Sequence, residues 1–360
     1  MPTFDRIAEQ PEAKRLLNAA LSEGPAHAYL FHGPAGVGKR ATALSFAAEL
    51  LGDAARVERR SHPDLYVLEP LGDQIRIDAI RELRRDLHMR PFEAQRRVYL
   101  VFSAHLLNEE AADALLKDLE EPPEYATIVL VADELGPLPE TIRSRCQLVP
   151  FRRLSERAVR EAVAERAPQL SVEAQTAIAR VAAGRLDRAE RLLDPQAAER
   201  RRALLGVARA VYLDPAFDAA VAAEALVEGA RERAKEARAA AEVELEGLDL
   251  PEREAELRLR RAARGAEWDE LLASLEELAS WYRDLVAVAA GADEAVVHYD
   301  RLEELRADAS VERLPGAERA AELVRETWRA LAEFNLNPPL ALEALFIELR
   351  RALAAAATLV

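Results

Sequence analysis

The sequence is short of cysteine, of long apolar runs and of basic charge, and each shortage removes a class of protein. Cys146 is the single cysteine in 360 residues, so neither an internal disulfide framework nor a cysteine-rich zinc knuckle can form. No stretch approaches the roughly 18 uninterrupted apolar residues of a membrane span. The opening residues, MPTFDRIAEQPEAKR, lack the apolar core of a signal peptide, so a cytoplasmic location is expected. Lys and Arg number 49 against 64 Asp and Glu, a formal net charge of −15. A free-standing DNA binder draws most of its affinity from phosphate contacts and shows a basic footprint. This chain has none overall, although a local basic patch inside an assembly is compatible with the total.

What is present is a globular composition, 50% hydrophobic and 31% charged, long enough for two or three domains with separate cores. Through residue 153, short apolar runs alternate with helical patterns. AYLFH (28–32), LYVLE (65–69), RVYLVF (97–102), TIVLVA (127–132) and CQLVPF (146–151) read as buried strands, too short for helices and rich in β-branched and aromatic residues. NEEAADALLKDLEEPP reads as a helix: Asn108 caps it, Glu109 and Glu110 suit its positive end, and Pro122-Pro123 stops it. Ala112, Leu115, Leu116 and Leu119 form its apolar face. Strands alternating with helices predict an α/β domain whose parallel sheet is covered on both faces.

After Leu154 the strand signals stop. Residues 154–204 read as a small helical domain, with LSVEAQTAIARVAAG ending at Gly184 and RLDRAERLLD following, and residues 205–360 as a second, all-α domain. Within the latter, 230–264 is highly charged and broken by Gly247 and Pro251, a pattern of two solvated helices or a mobile excursion rather than a binding arm. The last helical stretch carries Leu342, Leu345, Phe346 and Leu349 on one face, which fits a domain's own core and a partner's helices equally well.

GPAGVGKR, Gly33 to Arg40, fits the phosphate loop G-x-x-x-x-G-K-[S/T] at all but its last position. It follows a predicted strand and opens a predicted helix, as the motif requires. Gly33, Gly36 and Gly38 let the backbone curl so that its N–H groups face phosphate, and Lys39 would add positive charge there. Arg40 stands where a hydroxyl should ligate Mg²⁺; it has no lone pair for a metal, and its cation opposes a dication. It can still neutralise phosphate directly, so nucleotide binding stays open while metal-assisted hydrolysis is disfavoured. Active loops of this kind also need acids after a later strand. RVYLV runs into Phe102 and Ser103 instead, with no Asp or Glu before Glu109. His105 suits capping or packing better than the role of a base. The loop reads as a retained scaffold with a degenerate site.

HAYLFHGPAGVGKR, SHPDLYVLEP, IRIDAIRELRRDLHMRPFEAQRRVYLV, NEEAADALLKDLEEPPEYATIVLVA and TIRSRCQLVPF together resemble the clamp-loader branch of the AAA+ ATPases. WYRDLVAVAAGADEAVVHYDRLEELR and NLNPPLALEALFIELR resemble that family's helical collar. The resemblance implies a RecA-like P-loop domain (1–153), a helical lid (154–204) and a collar (205–360) that joins five subunits in a ring. It also implies the role of the family's non-hydrolysing subunit, a stator in the replicative loader of a sliding clamp. The implied partners are the gamma/tau motor subunit, the delta subunit, the sliding clamp and, through the complex, primer–template DNA. No cofactor of its own is required; ATP is held by the neighbouring subunit. In the family, the triplet matched here by Ser144, Arg145 and Cys146 presents an arginine to that ATP as a catalytic finger, a planar permanent cation that stabilises the transferring phosphoryl group from outside. An ordinary surface arginine capping a short helix would look the same locally. GRLDRAERLL resembles the lid motif G-x-x-x-R-A, whose arginine matches Arg188; with this site impaired, contact with nucleotide and a purely structural role both fit. Many relatives carry a four-cysteine zinc module where this chain has GDAARVERRS (52–61), so no metal site is expected.

Two rivals make distinct predictions. A self-sufficient motor subunit would hydrolyse ATP alone, which Arg40, Phe102 and Ser103 oppose. A purely structural collar subunit would tolerate loss of Arg145 without effect on the assembly. The core motifs alone also fit a related loader outside replication, but the C-terminal segments match that poorly.

Overall fold

Five of the apolar runs become five parallel strands in this computed structural model, which describes residues 7–70, 74–133, 135–246, 252–334 and 336–355. Gly247 and Pro251, the expected breaks in the charged region, lie outside the described residues. In chain order the first part comprises α1 (Pro11–Glu23), β1 (Ala28–His32), α2 (Lys39–Leu51), α3 (Ala54–Glu58), β2 (Leu65–Leu68), α4 (Ile77–Leu87) and β3 (Arg97–Val101). It continues with α5 (Glu109–Glu120), β4 (Ala126–Ala132), α6 (Glu140–Arg143), β5 (Gln147–Pro150) and α7 (Glu156–Arg166). Then come α8 (Val172–Ala182), α9 (Leu186–Leu193), α10 (Pro195–Leu213), α11 (Ala219–Leu245), α12 (Glu252–Ala289), α13 (Leu302–Asp308), α14 (Leu314–Phe334) and α15 (Pro338–Ala355). Two compact units result, one from Met1–Ser171 with Ala183–Ala189, the other from Val172–Ala182 with Glu190–Val360.

The sheet order is β2-β3-β4-β1-β5. Alternation along each strand covers both faces. Tyr29 and Phe31 join Leu17 of α1 and Phe46 of α2 in one core layer. Ala28, Leu30, Tyr99 and Ile128 join Leu83 of α4 and Leu115 of α5 in the other. β1 pairs with β4 on one side and β5 on the other, so the loop leaving β1 lies beside the ends of both.

Asn108 caps α5 as expected, its Oδ1 accepting the Ala111 N–H at 2.9 Å. Ala112, Leu115 and Leu119 are buried, whereas Leu116 is half-buried at the margin of the apolar face. α10 starts at Pro195, because Asp194 accepts the N–H groups of Gln196 and Ala197 and proline opens the first turn.

The second unit has its own core, in which Trp281, Tyr282 and Phe346 are fully buried. Leu342, Leu345, Phe346 and Leu349 of α15 all point into it, so that face serves this core. Ala230 is the last fully buried residue of α11. Beyond it α11 and α12 are charged helices joined on their surface by Arg238 and Glu256, 2.9 Å apart.

Candidate functional site

Gly33–Arg40 leaves β1 and runs into α2 with Lys39 as the first helical residue. Glycine is required at two of its positions. Gly33 has φ +140°, and a Cβ there would lie 2.2 Å from the Phe151 carbonyl oxygen beyond β5. Gly36 has φ +70°, and a Cβ there would lie 1.7 Å from Oδ1 of Asp187. Gly38 is left-handed as well and acts as the N-cap of α2.

Both cations of the loop are engaged by the chain itself. Lys39 is only 4% exposed. Its Nζ donates to the carbonyl of Gly33 at 2.7 Å and to that of Pro34, and pairs with Oδ1 of Asp133 at 2.8 Å. Burial pushes the ammonium pKa down, against the opposing pull of Asp133. Arg40 reaches the end of β3: its Nη2 donates to Ser103 Oγ at 3.3 Å, and its guanidinium lies 4.9 Å from the centre of the Phe102 ring. Glu69, just past β2, is 3.6 Å from Arg40 Nη1. Ser103 holds a left-handed φ of 54°, uncommon for a residue with a side chain. The positions expected to carry a metal-ligating hydroxyl and an acid are thus taken by a guanidinium, a buried phenyl ring and a serine that answers that guanidinium. Glu69 and Asp133 are each paired with a loop cation. That donor set does not fit a phosphate-bridging Mg²⁺. Among the described residues no group of three or more His, Cys, Asp or Glu could hold a metal.

The stretch Ala183–Ala189 belongs to this unit and closes on the loop. The Leu186 N–H donates to the Gly36 carbonyl at 2.7 Å. Asp187 stands against Gly36, gripped by Arg185 at 2.7 and 3.1 Å and by the Arg188 N–H at 2.8 Å. Arg188 is therefore brought next to the phosphate loop through its backbone, with its side chain half-buried. His105 accepts the Asp133 N–H on Nδ1 at 3.2 Å, which fixes the strand end that holds Lys39. Asp133 and Asp187 were missed by the sequence reading. Asp133 had a signal, an acid directly after a buried strand; Asp187 had none, since it arrives from some 150 residues away.

Arg145 lies elsewhere on the unit, past the C-terminus of α6. Its Nη1 donates to the Thr141 carbonyl at 2.9 Å, and its Nη2 pairs with Glu120 at the end of α5. The side chain is one-third exposed. Ser144 caps α6, its Oγ donating to the Thr141 carbonyl at 3.1 Å. Cys146 packs beside the sheet core, and burial pushes its thiol up to about 12, so it is no thiolate nucleophile.

A five-stranded parallel sheet with a phosphate loop between its first strand and the following helix defines an α/β P-loop domain, followed here by an all-α region. Residues 9–155 match the family described as DNA polymerase III, delta subunit. The chain is 32% identical over 169 residues to DNA polymerase III subunit delta' of Bacillus subtilis (strain 168), covering 43% of this chain and 51% of that protein. It is 39% identical over 136 residues to the Pseudomonas aeruginosa subunit delta', covering 34% and 42%. It is 34% identical over 167 residues to the Bacillus subtilis subunit tau, covering 43% and 30%. The chain thus spans about half or less of the length of these relatives. Over residues 9–155 it is thus similar to the delta' subunits of DNA polymerase III.

Proposed function

We propose that this chain is the non-hydrolysing subunit of a replicative clamp loader, one that completes a neighbouring motor subunit's ATP site with Arg145. The observation that carries the reading is the internal engagement of both loop cations, Lys39 by Asp133 and Arg40 by Ser103 and Phe102. A loop in that state lacks the charge and the metal ligands that hydrolysis needs. Tau and delta' relatives are about equally similar in sequence, so these residues, rather than overall identity, favour the stator over the motor.

Arg145 suits the finger role because it is accessible and anchored to two helices at once. Its pair with Glu120 is partly exposed, and such pairs contribute little, so turning the fork toward an incoming γ-phosphate is inexpensive. The gamma/tau motor subunit, the delta subunit, the clamp and primer–template DNA are the partners of this reading, with the chain needing no nucleotide of its own.

The test is DNA- and clamp-stimulated ATP hydrolysis by the reconstituted complex with wild-type chain or Arg145→Ala, beside the isolated chain. Arg145→Ala is expected to slow the adjoining site by on the order of 10³-fold, with the isolated chain silent. An unchanged complex would leave a structural subunit; turnover by the isolated chain would make it a motor.

A further inference from the structure

Arg145 is held by two helices, one on each side of its fork. Nη1 donates to the Thr141 carbonyl of α6 at 2.9 Å and lies 3.4 Å from Ser144 Oγ, while Nη2 donates to Glu120 Oε1 at 2.5 Å. Glu120 is the last residue of α5, and Glu121 and Pro122-Pro123 end the helix there.

Stability gives no reason for a carboxylate at this place. The C-terminal end of a helix is the negative end of its dipole and favours cations, such as Lys117 in the same last turn. The pair is open to water, with Glu120 49% and Arg145 33% exposed, and pairs so exposed add little to a fold. Glu121 is exposed as well and has no cation partner among the described residues. Of two adjacent acids, only Glu120 holds an arginine, and it is the arginine whose fork the adjoining ATP site needs.

We propose that Glu120 is a positioning residue that keeps Arg145 on its own subunit and so restrains the adjoining site until stimulation brings a γ-phosphate within reach. The inference rests on Arg145 acting as the finger. A bidentate contact with phosphate draws on the same fork and the same charge that Glu120 holds. While the subunits stand apart the carboxylate keeps the fork; when they close, the more highly charged phosphate takes it.

ATP hydrolysis by the reconstituted complex, without and with DNA and clamp, is compared for wild type, Glu120→Gln, Glu121→Gln, Arg145→Ala and the Glu120→Gln/Arg145→Ala pair. Far-UV circular dichroism and gel filtration confirm that each variant folds and assembles. Glu120→Gln keeps the shape of the side chain and removes its charge. It is expected to raise the unstimulated rate about two- to fivefold, the range set by a partly exposed pair, and to leave the stimulated rate unchanged. The rise should vanish in the Arg145→Ala background, and Glu121→Gln should behave as wild type. An unstimulated rate that Glu120→Gln leaves unchanged or lowers overturns the proposal. So does a rise of equal size in the stimulated rate, an equal rise with Glu121→Gln, or a rise that persists without Arg145. In each of those cases a slow Arg145→Ala complex leaves the finger itself intact, whereas an Arg145→Ala complex as fast as wild type overturns both readings.

Discussion

Lys39 sits where a phosphate-binding lysine belongs, but its charge is met from within. Asp133 was invisible as a partner because the contact depends on β4 lying next to β1, a neighbour relation that spacing along the chain does not reveal. The glycines, Lys39 and the misfit of Arg40 were legible, since each is a statement about residue type at a fixed offset in a local motif. Where Arg40 goes was not, because Phe102 and Ser103 reach it only through the packing of β3 against α2. Asp133→Asn keeps the shape and removes the opposing charge, leaving Lys39 free to attract a polyphosphate. Titration of the isolated chain with a fluorescent ATP analogue is expected to give about tenfold tighter binding for Asp133→Asn than for wild type. Equal affinities would mean that the segment around Asp187, rather than the charge on Lys39, governs access to the loop.

Elements whose signals are local came through the sequence with little error. The five strands start and end within a residue or two of the expected runs, because β-branched and aromatic clusters between turns leave few alternatives. Cys146 stays outside β5, since the turn after α6 still holds its N–H on the Arg143 carbonyl. The periodicity of α15 fixed which side chains share a face but not what covers them, and the packing of α10, α11 and α14 decides that. Stability should follow the same division. Phe346→Ala removes a fully buried ring and is expected to cost about 3–5 kcal/mol in chemical denaturation. Replacing Arg238 and Glu256 by alanine breaks a pair on the solvated part of α11 and α12, and should leave the denaturation midpoint unchanged. A loss for that pair as large as for Phe346 would mean the charged helices hold more than each other.

Across the whole molecule the two units keep separate cores, and they differ in what they bury. The second contains a charged cluster that no sequence pattern announced: His298, fully buried, bonds Asp284 through Nδ1 at 2.8 Å and Glu277 through Nε2 at 3.1 Å. Arg201 grips Glu277 from the far side, Arg283 meets Asp284, and the Trp281 ring closes over the imidazole at 5.5 Å. Burial opposes protonation of His298, but its bonds to Asp284 and Glu277 outweigh that, and its pKa is raised. A raised histidine stabilises the fold fully below its unfolded pKa of about 6.5, and the contribution is lost as pH rises through the folded value. Asp284 behaves in the opposite sense: its lowered pKa gives stability that is lost only as pH falls through its folded value. The second unit should therefore be most stable at mildly acidic pH and weaken above about pH 6.5. All three tryptophans, Trp268, Trp281 and Trp328, lie in this unit, so intrinsic fluorescence reports its unfolding alone. The denaturation midpoint read by tryptophan emission is expected to fall between pH 6.5 and 9, and His298→Gln, which keeps a hydrogen-bonding side chain but cannot titrate, should flatten that fall while lowering the midpoint at pH 6. A wild-type profile already flat over that range would mean that His298 is neutral in the fold.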